Sequence, residues 1–108
     1  MIFVKINETL YPATVNGRVA DYEWDNRSSK AITLEMDYST AIGLFVNGLA
    51  WSIVDKYEVE GEMHETEYDN SDFNIAGDII DHRDGTITVK MGKLTALEEA
   101  YEIMFGGN

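Results

Sequence analysis

His64-Glu65 has the opening of a zinc-protease helix, in which a second histidine four residues after the first lets both imidazoles reach one metal. That position holds Tyr68, so the motif is incomplete. His64 and His82 are the only histidines, and a two-histidine site would need them to meet in space. Asp69-Asn70-Ser71-Asp72 has the look of a calcium loop. An EF-hand loop requires oxygen ligands at positions 1, 3 and 5, glycine at 6 and glutamate at 12. Counted from Asp69, positions 5, 6 and 12 are Phe73, Asn74 and Ile80. Asp78, Asp81 and Asp84 recur every third residue, a pattern that a turn tolerating carboxylates explains. With 20 acids in 108 residues, some carboxylate pair always has the separation glycoside chemistry needs, so such pairs select nothing. The serines (Ser28, Ser29, Ser39, Ser52, Ser71) lack nucleophile-elbow flanks. Gly48, Gly61, Gly77 and Gly85 are isolated, which leaves no phosphate-cradling loop. The expectation is a protein with no catalytic, cofactor or metal site, and not an enzyme.

Two groups of residues remain as candidates for binding a partner. Tyr22, Trp24 and Arg27 would form an aromatic patch if Tyr22 and Trp24 shared a strand face with Arg18 and Ala20. The competing reading has them covering the core beside Trp51. Glu58, Glu60, Glu62, Glu65 and Glu67 form the second group. A charged edge strand resists edge-to-edge aggregation, and the same charges would suit a basic partner.

Periodicity supplies the elements that must position these residues. Ile2, Val4 and Ile6 alternate with Phe3, Lys5 and Asn7; Ile32, Leu34 and Met36 alternate with Ala31, Thr33 and Glu35; and Ile87, Val89 and Met91 alternate with Thr86, Thr88 and Lys90. Each reads as a strand. Ala13 to Trp24 reads as extended, with a break at Tyr11-Pro12 and a turn or bulge at Asn16-Gly17. Asp25 to Ser29 reads as a polar loop. Ser39 to Asn47 reads as a short buried helix, capped by Asp37 or Ser39 and stopped at Asn47-Gly48. Trp51 to Val59 is a strand, and Glu60 to Asp69 its ragged hairpin partner. Phe73 to Ile80 is extended, with a bulge at Gly77, and His82-Arg83-Asp84-Gly85 turns the chain into the next strand. Thr95 and Glu98 make a capping box. Behind it, Leu94, Leu97, Tyr101 and Met104 form an apolar stripe, ended at Gly106-Gly107. The expected fold class is α+β: a mostly antiparallel sheet, a meander with a partly closed barrel as the second option. One short buried helix and a C-terminal helix pack on it.

Composition bounds the rest. A chain of 108 residues has room for a single domain and should bury roughly 65% of its unfolded surface. Two Trp, six Tyr and four Phe argue against disorder. Without cysteine, disulfides and thiolate metal sites are excluded, and a reducing compartment is favoured. Met1 to Lys5 is too short and too soon charged for a signal segment, and no run approaches the ~18 apolar residues of a membrane helix. The net charge is −12, which disfavours phosphate backbones and anionic lipid. It is also uneven: Asp55, Glu58, Glu60, Glu62, Glu65, Glu67, Asp69, Asp72, Asp78 and Asp81 share their stretch with one base, Lys56.

Three stretches, YPATVNGRVADYEWDNRSSKAITL, LFVNGLAWSIV and GDIIDHRDGTITVKMGKLTALEEAYEIM, carry a resemblance. The chain resembles small uncharacterised proteins encoded in phages and prophages of gut Gram-positive bacteria. The likeness spans most of the chain and includes no catalytic motif, so it transfers no functional residue. It implies a small structural or accessory virion part of the tail or neck, or a host-directed factor. The partner expected is a protein, a further copy of this chain included, with no direct nucleic acid and no membrane. The location implied is the bacterial cytoplasm where it is made, then the virion. The alternative is an acidic decoy whose carboxylates imitate nucleic-acid phosphates for a basic host protein.

Overall fold

The computed structural model describes residues 1–106. The elements in chain order are β1 (Ile2–Ile6), β2 (Thr9–Asp21), β3 (Arg27–Glu35), α1 (Tyr38–Leu44), β4 (Ser52–Val59), β5 (Glu62–Asp69), β6 (Ile75–Asp81), β7 (Thr86–Gly92) and α2 (Ala96–Tyr101). A π-helical turn, Glu102–Gly106, continues α2. The strands pair antiparallel in the order β5-β4-β1-β2-β3-β7-β6.

The expected α+β class with a mostly antiparallel sheet is the observed one, with two differences. Only β1–β2–β3 is a meander; the β4–β5 hairpin is added beside β1, and the β6–β7 hairpin beside β3. The sheet is open, because β5 and β6 each pair with a single neighbour, so no barrel closes.

Strand β2 explains the shape. Thr9 to Pro12 pair with β1, and Ala13 to Asp21 pair with β3. The change of partner falls at Pro12, whose ring nitrogen has no hydrogen to give a ladder. Asn16-Gly17 is not a turn; the two residues lie inside β2 opposite Ala31 and Lys30. The two halves of the sheet share one core. Val4 and Ile6 of β1 meet Ile32 and Leu34 of β3 and Ile87, Val89 and Met91 of β7, with Ala41, Phe45 and Trp51 closing the cluster. The period-two pattern of each strand puts these residues on a common inner face. Trp51 ties it to the neighbouring loop: its Nε1 donates to the Phe73 carbonyl at 2.8 Å, and its carbonyl accepts from the Asn70 amide.

Helix α1 starts where Asp37 accepts a hydrogen bond from the Thr40 amide at 2.7 Å. It is shorter than the expected Ser39–Asn47 and less buried. Ala41 is enclosed, as is Phe45 at the C-cap, while Ile42 and Val46 face solvent. The Gly77 bulge and the His82–Gly85 loop are present, with Gly85 at φ +92°. The Asp25–Ser29 loop is smaller than expected. Tyr22–Trp24 form a 3₁₀ turn, Asp25 and Asn26 take left-handed φ, and Arg27 already belongs to β3. Beyond Met1 the β4–β5 hairpin pairs only with itself. The radius of gyration is 15.4 Å, against about 13 Å for a spherical domain of this length. The molecule is drawn out to 52 × 34 × 25 Å.

Candidate functional site

The face of β3 and β7 turned away from the core carries a polar network. Asp21, at the end of β2, is fully buried. Its carboxylate accepts from Lys90 Nζ at 2.7 Å, Ser29 Oγ at 3.1 Å, the Glu23 amide at 3.1 Å and Arg18 at 3.4 Å. The Lys90 hydrogen bond is the main reason its pKa lies below the usual carboxylate range. A buried acid needs such partners, since an unpaired one would take up a proton.

Beside this network lie Trp24 and Arg27. The Trp24 ring lies over Gly77 and Gly92, where a Cβ on either would approach it to 2.7 Å. The Arg27 guanidinium sits 4.9 Å from the ring centroid, a cation–π distance. Arg27 is buried and forms two parallel bonds to Glu98, 2.8 and 3.1 Å, with a third to the Lys93 carbonyl at 3.0 Å. The planar guanidinium fits a carboxylate in this two-point way.

Trp24 and Arg27 are therefore not an exposed recognition patch, and only Tyr22 of the three faces solvent. Trp24 does not lie beside Trp51 either. It covers the outer face of the sheet, whereas Trp51 belongs to the inner cluster. A cleft of about 430 Å³ beside Trp24 is lined by Glu23, Ala76, Gly77, Asp78 and Lys90. Its one cation is already engaged by Asp21, and it holds no nucleophile.

Glu98 joins this face to α2. Its carboxylate also accepts from the Thr95 amide at 2.9 Å, while Thr95 Oγ1 accepts from the Glu98 amide at 3.1 Å. This is the expected capping box. The Arg27 bond, ahead of the Thr95 amide, lowers the Glu98 pKa from 4.5 to about 2. An acid with a depressed folded pKa stabilises the fold fully above its unfolded pKa and loses that contribution as pH falls through the folded one. The anchoring of α2 should thus be complete above pH 4.5 and fail only as pH approaches about 2. NMR titration of the Thr95 amide should show a midpoint near 2. A midpoint near 4.5 would mean that Arg27 does not hold Glu98 in solution.

The helix is docked by its polar side. Within α2, at 3.6 residues per turn, Leu97 and Tyr101 (i, i+4) fall on one side and Glu98 points about 100° away from Leu97, while Met104 lies in the π-helical turn that follows. Because Glu98 meets Arg27, the apolar side looks outward. Leu97 is 81% exposed, Tyr101 64%, Ile103 79%, Met104 73% and Phe105 69%. The Tyr101 and Phe105 rings lean on each other with centroids 4.9 Å apart. The expected packing of this stripe on the sheet does not occur. Of its four members only Leu94 is partly covered. Of the expected Gly106-Gly107 stop, Gly107 lies outside the described residues.

The five acids of the other candidate group do not share a surface. Glu58, Glu65 and Glu67 lie on one face of the β4–β5 hairpin, Glu62 opposes Val59 on the other, and Glu60 occupies the turn with φ 51°. Lys5 Nζ is 3.3 Å from Glu67, and Lys56 stands directly opposite Glu65. Tyr57 and His64 stack at 5.8 Å. The histidines stand on opposite flanks of the sheet, since His82 follows β6 and bonds Thr88 at 2.7 Å. Among the described residues no three His, Asp or Glu side chains converge on a metal position. Asp69 and Asp84 instead accept from Ser71 and Thr86 in their turns, and those hydroxyls hold both carboxyls below their usual range. No described helix is long and apolar enough to cross a membrane.

Sequence reading did not find the Arg27–Glu98 pair, which spans 71 residues of chain, nor the Asp21 network. The capping box placed Glu98 correctly, but nothing local ties it to Arg27. Comparison with protein-family models, curated proteins and solved structures finds no match to this chain.

Proposed function

We propose that this chain is a non-enzymatic component that works by protein–protein contact, with the outward side of α2 as its contact element. What supports this is the inverted docking of that helix. An amphipathic helix normally buries its apolar side, and a contiguous exposed apolar surface marks an interaction site. Here Arg27 and Glu98 orient the helix with that surface outward. The resemblance to phage and prophage proteins makes a structural or accessory virion part the setting in which such a contact would serve. The acidic-decoy alternative would need Glu58, Glu60, Glu62, Glu65 and Glu67 on one surface, and the hairpin divides them.

A photo-crosslinking amino acid at position 97 should give a protein adduct in the cells that make this chain. The same group at Thr14, exposed on the sheet, should give none. Absence of any adduct at position 97 would contradict the proposal.

A further inference from the structure

The ladder between β1 and β2 ends at Phe3–Pro12. From Ala13 onward β2 pairs with β3 alone among the described residues, so the two half-sheets part there. Helix α1 packs on β6 and β7 and leaves this end of the inner face open. The result is a cleft of about 490 Å³, a size that takes a small ligand. Ile2, Ala13, Val15, Gly17 and Ile53 line it, and Lys30 is the charged residue among its walls. Ala13, Val15 and Ile53 pack against the core from this side. A second cleft, of about 580 Å³, shares Ile2 and Ala13 with the first, so the apolar surface runs on past one pocket.

Lys30 is placed to receive an anion. It is half-buried, and burial holds its pKa below the ordinary lysine value. Its Nζ donates to Asn70 Oδ1 and stands 4.6 Å from the Phe73 ring centroid. Among the described residues it forms no ion pair. An ammonium has three donors, and the Asn70 bond uses one of them. The neighbouring strands supply no competing acid: in a chain of net charge −12, neither Thr9–Ala20 nor Arg27–Leu34 contains Asp or Glu. The field of the whole molecule repels anions. At Lys30 an anion instead meets a partly desolvated cation and gives it the partner it lacks.

We infer that this cleft binds an elongated apolar molecule ending in a carboxylate, with its hydrocarbon on Ile2, Val15 and Ile53 and its carboxylate on Lys30. The site is separate from the α2 surface. The apolar walls alone would take any hydrocarbon; the unpaired ammonium selects the acid.

The test is isothermal titration calorimetry and methyl NMR of the full chain with decanoate and with decanol, below the concentration at which decanoate forms micelles. Decanoate should bind once per chain. The methyl signals of Val15 and Ile53 should shift, while those of Val89 in the core and Leu97 on α2 hold still. The acid should bind about tenfold more tightly than the alcohol, the worth of one charge-assisted hydrogen bond. Lys30→Met should bring the two ligands level. Gly17→Phe is the second variant. A Cβ at Gly17 would meet nothing closer than 3.9 Å, so the strand accepts it, and the ring should fill the cleft and abolish binding. The buried Val89 methyl reports that each variant stays folded. No binding of decanoate by the wild-type chain would overturn the assignment. So would equal affinity for acid and alcohol, shifts at Leu97 in place of Val15, or binding that survives Gly17→Phe.

Discussion

Replacing Trp51 with alanine is expected to lower stability by about 3–5 kcal/mol, the cost of emptying a large aromatic site in a core. At about 4–8 °C per kcal/mol for a domain near this size, Tm should fall by roughly 12–40 °C. Trp51 is 1% exposed and touches the shared core of both half-sheets. No strand pairing except that through β2 and β1 holds those halves together, so the loss is of a joint as well as of buried area. The indole also donates to the Phe73 carbonyl, which the variant leaves without that partner. Thermal melts at one fixed protein concentration check this. A loss below about 1 kcal/mol, the range of ordinary surface changes and mild substitutions, would show that the halves are held by something other than this core.

The second large effect is expected at Gly92. A Cβ there would stand 2.7 Å from both Arg27 Cδ and the Trp24 ring. Neither can yield cheaply, because Arg27 is fixed by three hydrogen bonds and Trp24 rests on Gly77 as well. Gly92→Ala should cost about 1–3 kcal/mol as an overpacked site. It should also disturb the Glu98 anchor, so that the Thr95 amide titrates closer to 4.5, the ordinary value for a glutamate. Gly43 in α1 is the control. A methyl group added there would meet nothing within 4 Å, so Gly43→Ala should be neutral or stabilising by up to about 1 kcal/mol. Equal behaviour of the two variants would remove the packing explanation of the Trp24–Arg27 arrangement.

Much of this architecture was legible in the residues. Alternation in Ile2 to Ile6, Ile32 to Met36 and Ile87 to Met91 located β1, β3 and β7, since a half-buried strand must alternate. Asp37, Thr95, Glu98 and Gly85 marked helix starts and a turn through local hydrogen bonding and backbone preference. What was hidden depends on partners distant in the chain. Asn7, Glu8, Asp25 and Asn26 take left-handed φ without being glycine, so two turns carry no glycine signal and the Asn16-Gly17 pair, which does, lies inside a strand. A period-3.6 stripe states that a helix has an apolar side, but not which way that side turns. In α2 the direction is decided by Arg27, which is 71 residues from Glu98.

The contact surface itself can be read with one probe set. The five methionines are spread over the molecule: Met104 on the α2 stripe, Met63 on the acidic hairpin, Met91 in the core, with Met1 and Met36 elsewhere. Methyl-labelled methionine NMR, on the chain alone across a dilution series and on the chain added to lysate of the cells that make it, therefore reports which surface associates. The Met104 methyl is expected to shift and broaden in at least one of the two while Met63 and Met91 hold still. A Met104 methyl that stays fixed in both, or a Met63 methyl that moves in its place, would contradict the assignment of α2 as the contact element.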